Sequence, residues 1–301
     1  EITKDSCINE FDPNALEEMQ AVNKIIRAIK PIKSSEIVNI KNALHRTISS
    51  SVRASINVPS FRNSAMDGYA LNLSDLKTNK FKLSEAGVSF AGKPFKSSLR
   101  KGEAVRVMTG ALIPKNADAV IMKEMVAKDG VYINFPKNIK KNQNIRFIGE
   151  DIKKGERVLK KGDELDFSGL SILSSLGIEH VEVFCRPKIS YFSSGDELVA
   201  TGKKLQQGQI YDSNRYLLHG LLEDLPVAFS DLGIVKDKKL HLVKKLQRAS
   251  EKSDIIITTG GVSVGDADYI KDALSEVGSV GFWKIAIKPG RPLAFGKIND
   301  S

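Results

Sequence analysis

The residues best suited to chemistry follow a short apolar run in the last third of the chain. Positions 254–268 read Asp-Ile-Ile-Ile-Thr-Thr-Gly-Gly-Val-Ser-Val-Gly-Asp-Ala-Asp. The apolar run predicts a buried strand ending at Thr259, and the glycines predict a tight turn into a helix that begins near Asp266. Because the N–H groups of a helix N-terminus point outward, this turn is a candidate phosphate cradle. Its candidate binding residues are Gly260, Gly261, Ser263, Gly265 and Asp266.

The same turn ends in two carboxylates, Asp266 and Asp268. Carboxylates beside a phosphate repel it unless a divalent cation bridges the two groups, so we expect these side chains to hold Mg²⁺ or a similar ion. An ordinary strand-to-helix turn, with one of the two aspartates as the helix N-cap, fits the spacing equally well. The sequence leaves both interpretations open.

Two lysines form a second candidate group. If the segment after Phe282 is a strand, Trp283, Ile285 and Ile287 face one side, and Lys284 and Lys288 share the other, roughly 13 Å apart. Two cations on one wall could bind oxyanions. Exposed lysines at a sheet edge are the alternative interpretation.

Acidic residues elsewhere give weaker signals. Glu197 follows a predicted strand at 188–192, where open parallel sheets bind ligands, and is a candidate site acid. We expect Asp212 and its neighbours to cap the next helix. Asp67 and Thr109 each lie in a turn, and neither turn identifies a reaction by itself.

The elements that must position these residues alternate between strand and helix beyond position 186. This pattern predicts a doubly wound α/β domain, with a parallel sheet and helices on both faces. The expected elements are strands at 188–192, 227–235 and 254–259, and helices at 213–223, 237–252 and 267–277.

The first half of the chain shows different patterns of apolar and turn residues. Apolar spacing predicts a helix over 14–30 and a second over 36–47, followed by an extended run at 52–58. Short β-rich pieces separated by Gly and Pro turns predict a small β domain over 66–145. A hairpin around 157–159 and a helix over 168–176, stopped by Gly177, are expected next.

Composition limits the function classes. A chain of 301 residues with 41% hydrophobic and 27% charged residues is typical of a globular protein with two or three domains. No apolar run approaches the ~18 residues of a membrane span, and no signal peptide is visible, so we expect a cytoplasmic protein without a membrane partner. Two cysteines and four histidines show no disulfide or metal-ligand spacing.

The net charge of +10 would attract polyanions, and lysines and arginines crowd positions 137–161. Glu150, Asp151 and Glu156 interrupt this run, and few aromatic residues are interleaved for base stacking. A solvated basic face is therefore favoured, and no nucleic-acid partner is expected. The chain begins with Glu and ends directly after a predicted strand, so we expect it to be a fragment.

Read together, six strings resemble the molybdopterin molybdenumtransferase family, which includes bacterial MoeA and the C-terminal domain of gephyrin. The strings are PSFRNSAMDGYA (59–70), RVMTGA (106–111), GEDI (149–152), SGDEL (194–198), TGGVSVG (259–265) and KPGRP (288–292). The likeness covers about positions 14–301, and the first and fifth strings are the most specific.

The resemblance implies an α/β and β multidomain fold. It places a discontinuous N-terminal α+β domain at 1–58 and 146–185, an inserted small β domain at 59–145, and the α/β molybdopterin-binding domain at 186–301. It also implies a homodimer, with an active cleft between the α/β domain of one subunit and the β domain of the other, and contact with other proteins of molybdenum cofactor biosynthesis.

The reaction implied is insertion of molybdate into adenylylated molybdopterin with release of AMP, supported by Mg²⁺. Carried over position by position, the catalytic residues would be Asp67, Thr109, Asp151, Glu197, Asp237, Asp268, Lys284 and Lys288. Pro289 and Arg291 would join the glycine turn in binding the pterin nucleotide. Molybdate and tungstate are not distinguished, because the two anions are nearly equal in size and charge.

Two departures from the family matter. Arg291 stands where the family has Lys, which keeps the charge but changes the donor geometry. A Pro-Gly-Asn-Pro loop and a C-terminal β domain are expected beyond Ser301, so this chain could bind without turning over. Two rival functions stay open: an adenylyltransferase-like nucleotide enzyme, and a non-catalytic scaffold of the gephyrin type.

Overall fold

The computed structural model describes residues 15–261, 269–287 and 292–298, and these form two compact units. We call residues 37–183 the β-rich unit, and the described residues 15–36 and from 184 onward the α/β unit. The predicted fold class, α/β and β with more than one domain, is confirmed. No helix among these residues is both long and apolar enough to span a membrane.

The helices and strands are named in chain order. The first are α1 (Glu18–Ala28), β1 (Ser35–Asn39), β2 (Val52–Arg53), β3 (Asn63–Ser64), β4 (Gly68–Leu71), α2 (Leu73–Thr78), β5 (Lys82–Ser89), β6 (Glu103–Val107), β7 (Ala119–Met122), β8 (Ala127–Asp129), β9 (Tyr132–Asn134) and β10 (Ile145–Arg146). The others are β11 (Arg157–Leu159), α3 (Phe167–Ser175), β12 (His180–Phe184), β13 (Lys188–Ser194), β14 (Leu198–Val199), β15 (Ile210–Tyr211), α4 (Asn214–Glu223), β16 (Ala228–Val235), α5 (Lys239–Ser250), β17 (Ile255–Gly260), α6 (Tyr269–Val277), β18 (Gly278–Lys284) and β19 (Pro292–Ile298).

The β-rich unit is built around a six-stranded sheet in the order β7-β4-β6-β5-β9-β8. Every residue of β4 is buried, and Ala70 pairs with Val105 on one side and Val120 on the other. A Cβ at Gly68 would lie 2.0 Å from the carbonyl oxygen of Ile121, so only glycine allows β4 and β7 to approach this closely. The sheet thereby fixes the chain just before β4, where Asp67 lies.

The α/β unit contains a parallel sheet in the order β16-β13-β17. Tyr191 and Leu222 share a core on the α4 face, whereas Phe192, Leu246 and Ile270 share a core on the face of α5 and α6. Helices therefore cover both faces, as the strand–helix alternation predicted. In a parallel sheet the strands end at the same edge, so the residues after β13, β16 and β17 come together there.

Two predictions for the first half of the chain are wrong. Positions 36–47 form β1 and a single 3-10 turn (Ile40–Asn42) instead of a helix, because the β-branched run there pairs with β12. The predicted hairpin around β11 is a long-range pair with β2. The predicted helix over 14–30 is confirmed as α1, in which Ala21 packs against the β18–β19 hairpin while Met19 and Ile26 are exposed.

Candidate active site

The carboxyl end of β13 is where the α/β unit gathers its candidate site residues. Ser194 is the last residue of β13 and pairs with Val235 of β16 and Gly260 of β17. Its side chain is buried, and its hydroxyl donates a hydrogen bond to Oδ1 of Asp237 in the loop after β16. Asp237, one of the catalytic acids that the family resemblance implies, therefore lies at this strand end.

The glycine turn after β17 packs against the same serine. Gly260 has a φ of +77°, and a Cβ there would lie 2.0 Å from the carbonyl oxygen of Ser194. Gly261 has a φ of +65°, and its Cβ would lie 2.8 Å from Cγ1 of Ile270 and 3.1 Å from Oγ of Ser194. Both positions therefore require glycine, for conformation and for space.

Glu197 lies at the same edge. Its two carboxylate oxygens are each 2.8 Å from the position that a Cβ of Gly195 would occupy, and the Gly195 N–H donates to the Val235 carbonyl at 3.2 Å. The missing side chain of Gly195 lets the carboxylate of Glu197 fold back over the end of β13. Glu197 is exposed and Asp237 is half-buried, so both acids can meet a ligand from solvent.

A turn of the β-rich unit holds Asp67. Its Oδ1 accepts hydrogen bonds from the backbone N–H and the hydroxyl of Thr109, both at 2.8 Å. The second carboxylate oxygen of Asp67, Oδ2, lies 3.7 Å from Nζ of Lys123. The backbone N–H of Thr109, then its hydroxyl, lower the pKa of Asp67 below its ordinary value. Sequence reasoning named Asp67 and Thr109 separately, and antiparallel pairing of β4 with β6 brings them together.

Asp151 lies in the β-rich unit beside β10. Its carboxylate accepts a hydrogen bond from Arg146, which also lies 3.4 Å from Oε1 of Glu150. The charge of Asp151 raises the pKa of Arg146 above its ordinary value. Lys123 and Arg146, the cations next to Asp67 and Asp151, were not singled out as site residues. Their partners lie 56 and five positions away in the chain, and no motif marks either pair.

Of the two lysines predicted to share one face of a strand, Lys284 lies within the described residues and Lys288 lies outside them. β18 ends at Lys284, and Ile285 is buried in a cluster with Phe282 and Ala21. The predicted continuous alternation through Ile287 therefore stops at Lys284, because the chain there instead forms a bridge between Leu16 and Ile285. Trp283 was predicted to share a face with Ile285, but it lies outside that cluster, and Lys271 stacks over its ring at 5.4 Å.

Several predicted residues lie outside the described residues, and their placement stays a prediction. They are Ser263, Gly265, Asp266, Asp268, Lys288, Pro289 and Arg291. Within the described part of the chain, no three His, Cys, Asp or Glu side chains form a group that could hold a metal ion. The expected helix cap is confirmed: Oδ1 of Asp212 accepts the N–H of Arg215 at 3.2 Å at the start of α4.

Comparison with known proteins identifies the family. Residues 16–177 match the MoeA N-terminal region (domain I and II), and residues 192–301 match the probable molybdopterin binding domain. The chain belongs to the MoeA family of molybdopterin biosynthesis proteins.

Individual relatives agree with this assignment. A molybdopterin molybdenumtransferase of Haemophilus influenzae is 48% identical over 94% of this chain and 70% of the relative. A putative molybdopterin biosynthesis protein of Methanocaldococcus jannaschii is 34% identical over 92% of this chain and 75% of the relative. The crystal structure of a molybdopterin biosynthesis MoeA protein from Pyrococcus horikoshii matches with a TM-score of 0.80 at 30% identity, covering 94% of this chain and 72% of that one.

Proposed function

We propose that this protein is a molybdopterin molybdenumtransferase, a transferase that inserts molybdate into adenylylated molybdopterin and releases AMP. The observation that carries the proposal is the junction of Glu197, Asp237 and the Gly260–Gly261 turn at the carboxyl edge of a parallel sheet. The 48% identity to a transferase of that name supports the same conclusion.

Each group of the proposed site has a role that follows from its chemistry. The Gly260–Gly261 turn presents backbone to the ligand without side chains, which suits close approach of the pyrophosphate. The carboxylates of Glu197 and Asp237 orient water and the phosphate-bound species near the scissile phosphoanhydride. Lys284, with Lys288, supplies positive charge for the molybdate oxyanion.

We propose Mg²⁺ as the cofactor, held by Asp266 and Asp268. Two observations support a site for the phosphate-bound ion: the Gly260–Gly261 turn leaves space that a Cβ would fill, and the carboxylates of Glu197 and Asp237 lie at the same edge. The ion would supply charge neutralisation at the pyrophosphate. Asp268→Asn should weaken Mg²⁺-dependent binding of adenylylated molybdopterin. Equal affinity of wild type and variant, with and without Mg²⁺, would remove this role.

Release of AMP tests the proposed activity. The protein is mixed with adenylylated molybdopterin, and AMP is measured with and without molybdate; molybdate-dependent release is expected. Asp67→Asn should lower the rate. Asp129→Asn is the matched control, because Asp129 is also an acid of the β-rich unit beside a lysine, Lys82, but lies at the far edge of the sheet.

The same assay separates the rival functions. An adenylyltransferase-like enzyme would make adenylylated molybdopterin from molybdopterin and ATP unaided, whereas a transferase would not. A scaffold would release no AMP from the adenylylated substrate. The predicted acids Asp67, Glu197 and Asp237 are all present with defined contacts, which favours the transferase over the scaffold.

We also propose a homodimer whose contacts involve the β-rich unit. Near the β3–β10 pair, four apolar side chains are exposed; they are Phe61, Leu112, Phe147 and Ile148, with 42%, 37%, 42% and 53% of their surface accessible. Such a patch suits a protein contact. Sedimentation at micromolar concentration should show a dimer, and Ile148→Lys should weaken it. Val131→Lys, at a residue 68% exposed in a turn elsewhere, should not.

We also propose where the protein is located in the cell and which proteins it contacts. A cytoplasmic location suits a chain whose Cys185 is a free thiol, and cell fractionation would test it. Contacts with other proteins of molybdenum cofactor biosynthesis would be tested by affinity capture with those purified proteins.

A further inference from the structure

Ser194 has an environment that its place in a strand does not require. It is 1% exposed and lies at the end of the central strand of the parallel sheet. Its backbone already pairs with both neighbouring strands. The hydroxyl is therefore not needed to satisfy the ladder, and it donates instead to the carboxylate of Asp237, 43 residues away.

Two glycines of the turn lie directly against Ser194. On one side, Gly260 packs against the Ser194 carbonyl oxygen so closely that a Cβ would lie 2.0 Å from it. On the same side, Gly261 leaves its missing side chain next to the serine, with a would-be Cβ 3.1 Å from Oγ and 3.2 Å from Cβ. Because Ser194 is buried, its side chain loses little further freedom when it binds a carboxylate.

Asp237 depends on this contact more than a residue of a strand would. It lies two residues beyond β16, where no ladder holds the backbone. Its neighbours Lys236 and Lys238 are exposed. Among the described residues, the side chain that donates a hydrogen bond to the Asp237 carboxylate is that of Ser194. A carboxylate in a loop needs such a bond to keep one orientation at a catalytic site.

We propose that Ser194 is a positioning residue, which fixes the carboxylate of Asp237 for release of AMP without touching the substrate. This inference rests on the proposed function. It predicts that loss of the hydroxyl slows the chemical step and leaves substrate binding nearly unchanged, because the orientation of Asp237 changes and the glycine turn does not.

The neighbouring residue supplies a matched control. Ser193 is 0% exposed, and its Oγ lies 2.9 Å from Oγ1 of Thr259 on β17. Replacing either serine by alanine removes one buried hydroxyl from the same strand end. Only Ser194 bonds to an acid, so a general effect of losing a buried hydrogen bond should appear in both variants.

The experiment measures AMP release and the dissociation constant of adenylylated molybdopterin for five variants of the whole chain. Ser194→Ala should slow AMP release about ten-fold or more, the usual scale of a hydrogen bond to a charged group, while the dissociation constant changes about two-fold or less. Ser193→Ala should leave both values within about two-fold. Ser194→Cys keeps a weak donor and should fall between wild type and alanine.

The last two variants, Asp237→Asn alone and combined with Ser194→Ala, test whether the serine acts through the acid. In an Asp237→Asn background, adding Ser194→Ala should slow the reaction far less than it does in wild type, because coupled residues give non-additive effects. If wild type shows no molybdate-dependent AMP release, the proposed function fails and this inference fails with it. If wild type is active, three results overturn the positioning role alone: equal rates for the two alanine variants, equal rates for Ser194→Ala and Ser194→Cys, or additive effects with Asp237→Asn.

Discussion

The two units hold their acids in different ways. In the β-rich unit, Asp67 receives two hydrogen bonds from Thr109, one from the backbone and one from the hydroxyl. In the α/β unit, Asp237 receives its hydrogen bond from the hydroxyl of Ser194. A backbone N–H is present whatever side chain stands at the position, so the first arrangement tolerates substitution and the second does not.

The difference follows from the two sheets. Asp67 precedes β4, and its partner lies just beyond β6, so antiparallel pairing places a turn with a free N–H opposite the acid. Parallel strands instead all end at one edge, where the next residues are loops that make no ladder bonds with each other. Side chains and glycines must then supply the contacts that pairing supplies in the β-rich unit.

The largest expected effect tests the role of glycine at the parallel edge. Gly260→Ala should lower the free energy of unfolding by about 2–5 kcal/mol, because a left-handed alanine costs about 1–2 kcal/mol and overlap with the Ser194 carbonyl adds about 1–3 kcal/mol. Gly92 in the β-rich unit is the control, with the same φ of +77° and no heavy atom within 4 Å of its would-be Cβ. Gly92→Ala should therefore cost only about 1–2 kcal/mol.

Denaturant unfolding of both variants measures this contrast. Equal losses would mean that conformation alone requires glycine at the edge, and that the close packing of Gly260 on Ser194 contributes nothing. The difference between the two units would then lie in the hydrogen bonds that their acids, Asp67 and Asp237, accept.

The same distinction explains how far the sequence predicts the molecule. The α/β unit was predicted almost element by element, because buried parallel strands and amphipathic helices leave strong local patterns. β1 was predicted as a helix and β11 as part of a hairpin, because their partners β12 and β2 lie more than 100 positions away and pairing overrides local preference.

The candidate site likewise contains some residues that local sequence predicts and others that it does not. The Gly260–Gly261 turn and Glu197 could be proposed from local sequence, since a strand followed by glycine or acid is a local pattern. The pairing of Asp67 with Thr109, 42 positions apart, was available only through resemblance to a family. The bond from Ser194 to Asp237 has no sequence signal, because it depends on where two parallel strands stop.

A smaller effect compares the lysines of the two units. Lys284→Gln should weaken molybdate binding roughly ten-fold to a hundred-fold, since one charge-assisted hydrogen bond contributes about 1.5–3 kcal/mol. Lys123→Gln in the β-rich unit should weaken it less, because Lys123 is half exposed and water screens its charge. Ile285→Val, next to Lys284 but buried at 6% exposure, should cost about 0.5–1.5 kcal/mol of stability and leave affinity unchanged.

Titration with molybdate separates these variants. Equal losses for Lys284→Gln and Ile285→Val would show that the first acts through packing instead of charge. A larger loss for Lys123→Gln than for Lys284→Gln would assign the oxyanion to the β-rich unit and reverse the comparison.

The smallest expected effect tests the redundancy at Asp67. Thr109→Val removes the hydroxyl donor but keeps the backbone N–H, which is the larger cause of the lowered pKa. The pKa of Asp67 should therefore rise in the variant and still stay below its ordinary value.

Because the folded-state pKa is depressed, the stabilisation from this carboxylate is present above its unfolded pKa and is lost as pH falls through the folded value. In Thr109→Val that loss should be smaller and should be complete at a higher pH, because the folded-state pKa is less depressed. Carbon-detected NMR of the Asp67 carboxyl across a pH titration measures the shift, with Thr78→Val on α2 as the control, since Thr78 bonds to Ser74 and not to the acid. A variant in which the pKa returned fully to its ordinary value would show that the hydroxyl alone holds Asp67, and the two units would then hold their acids in the same way.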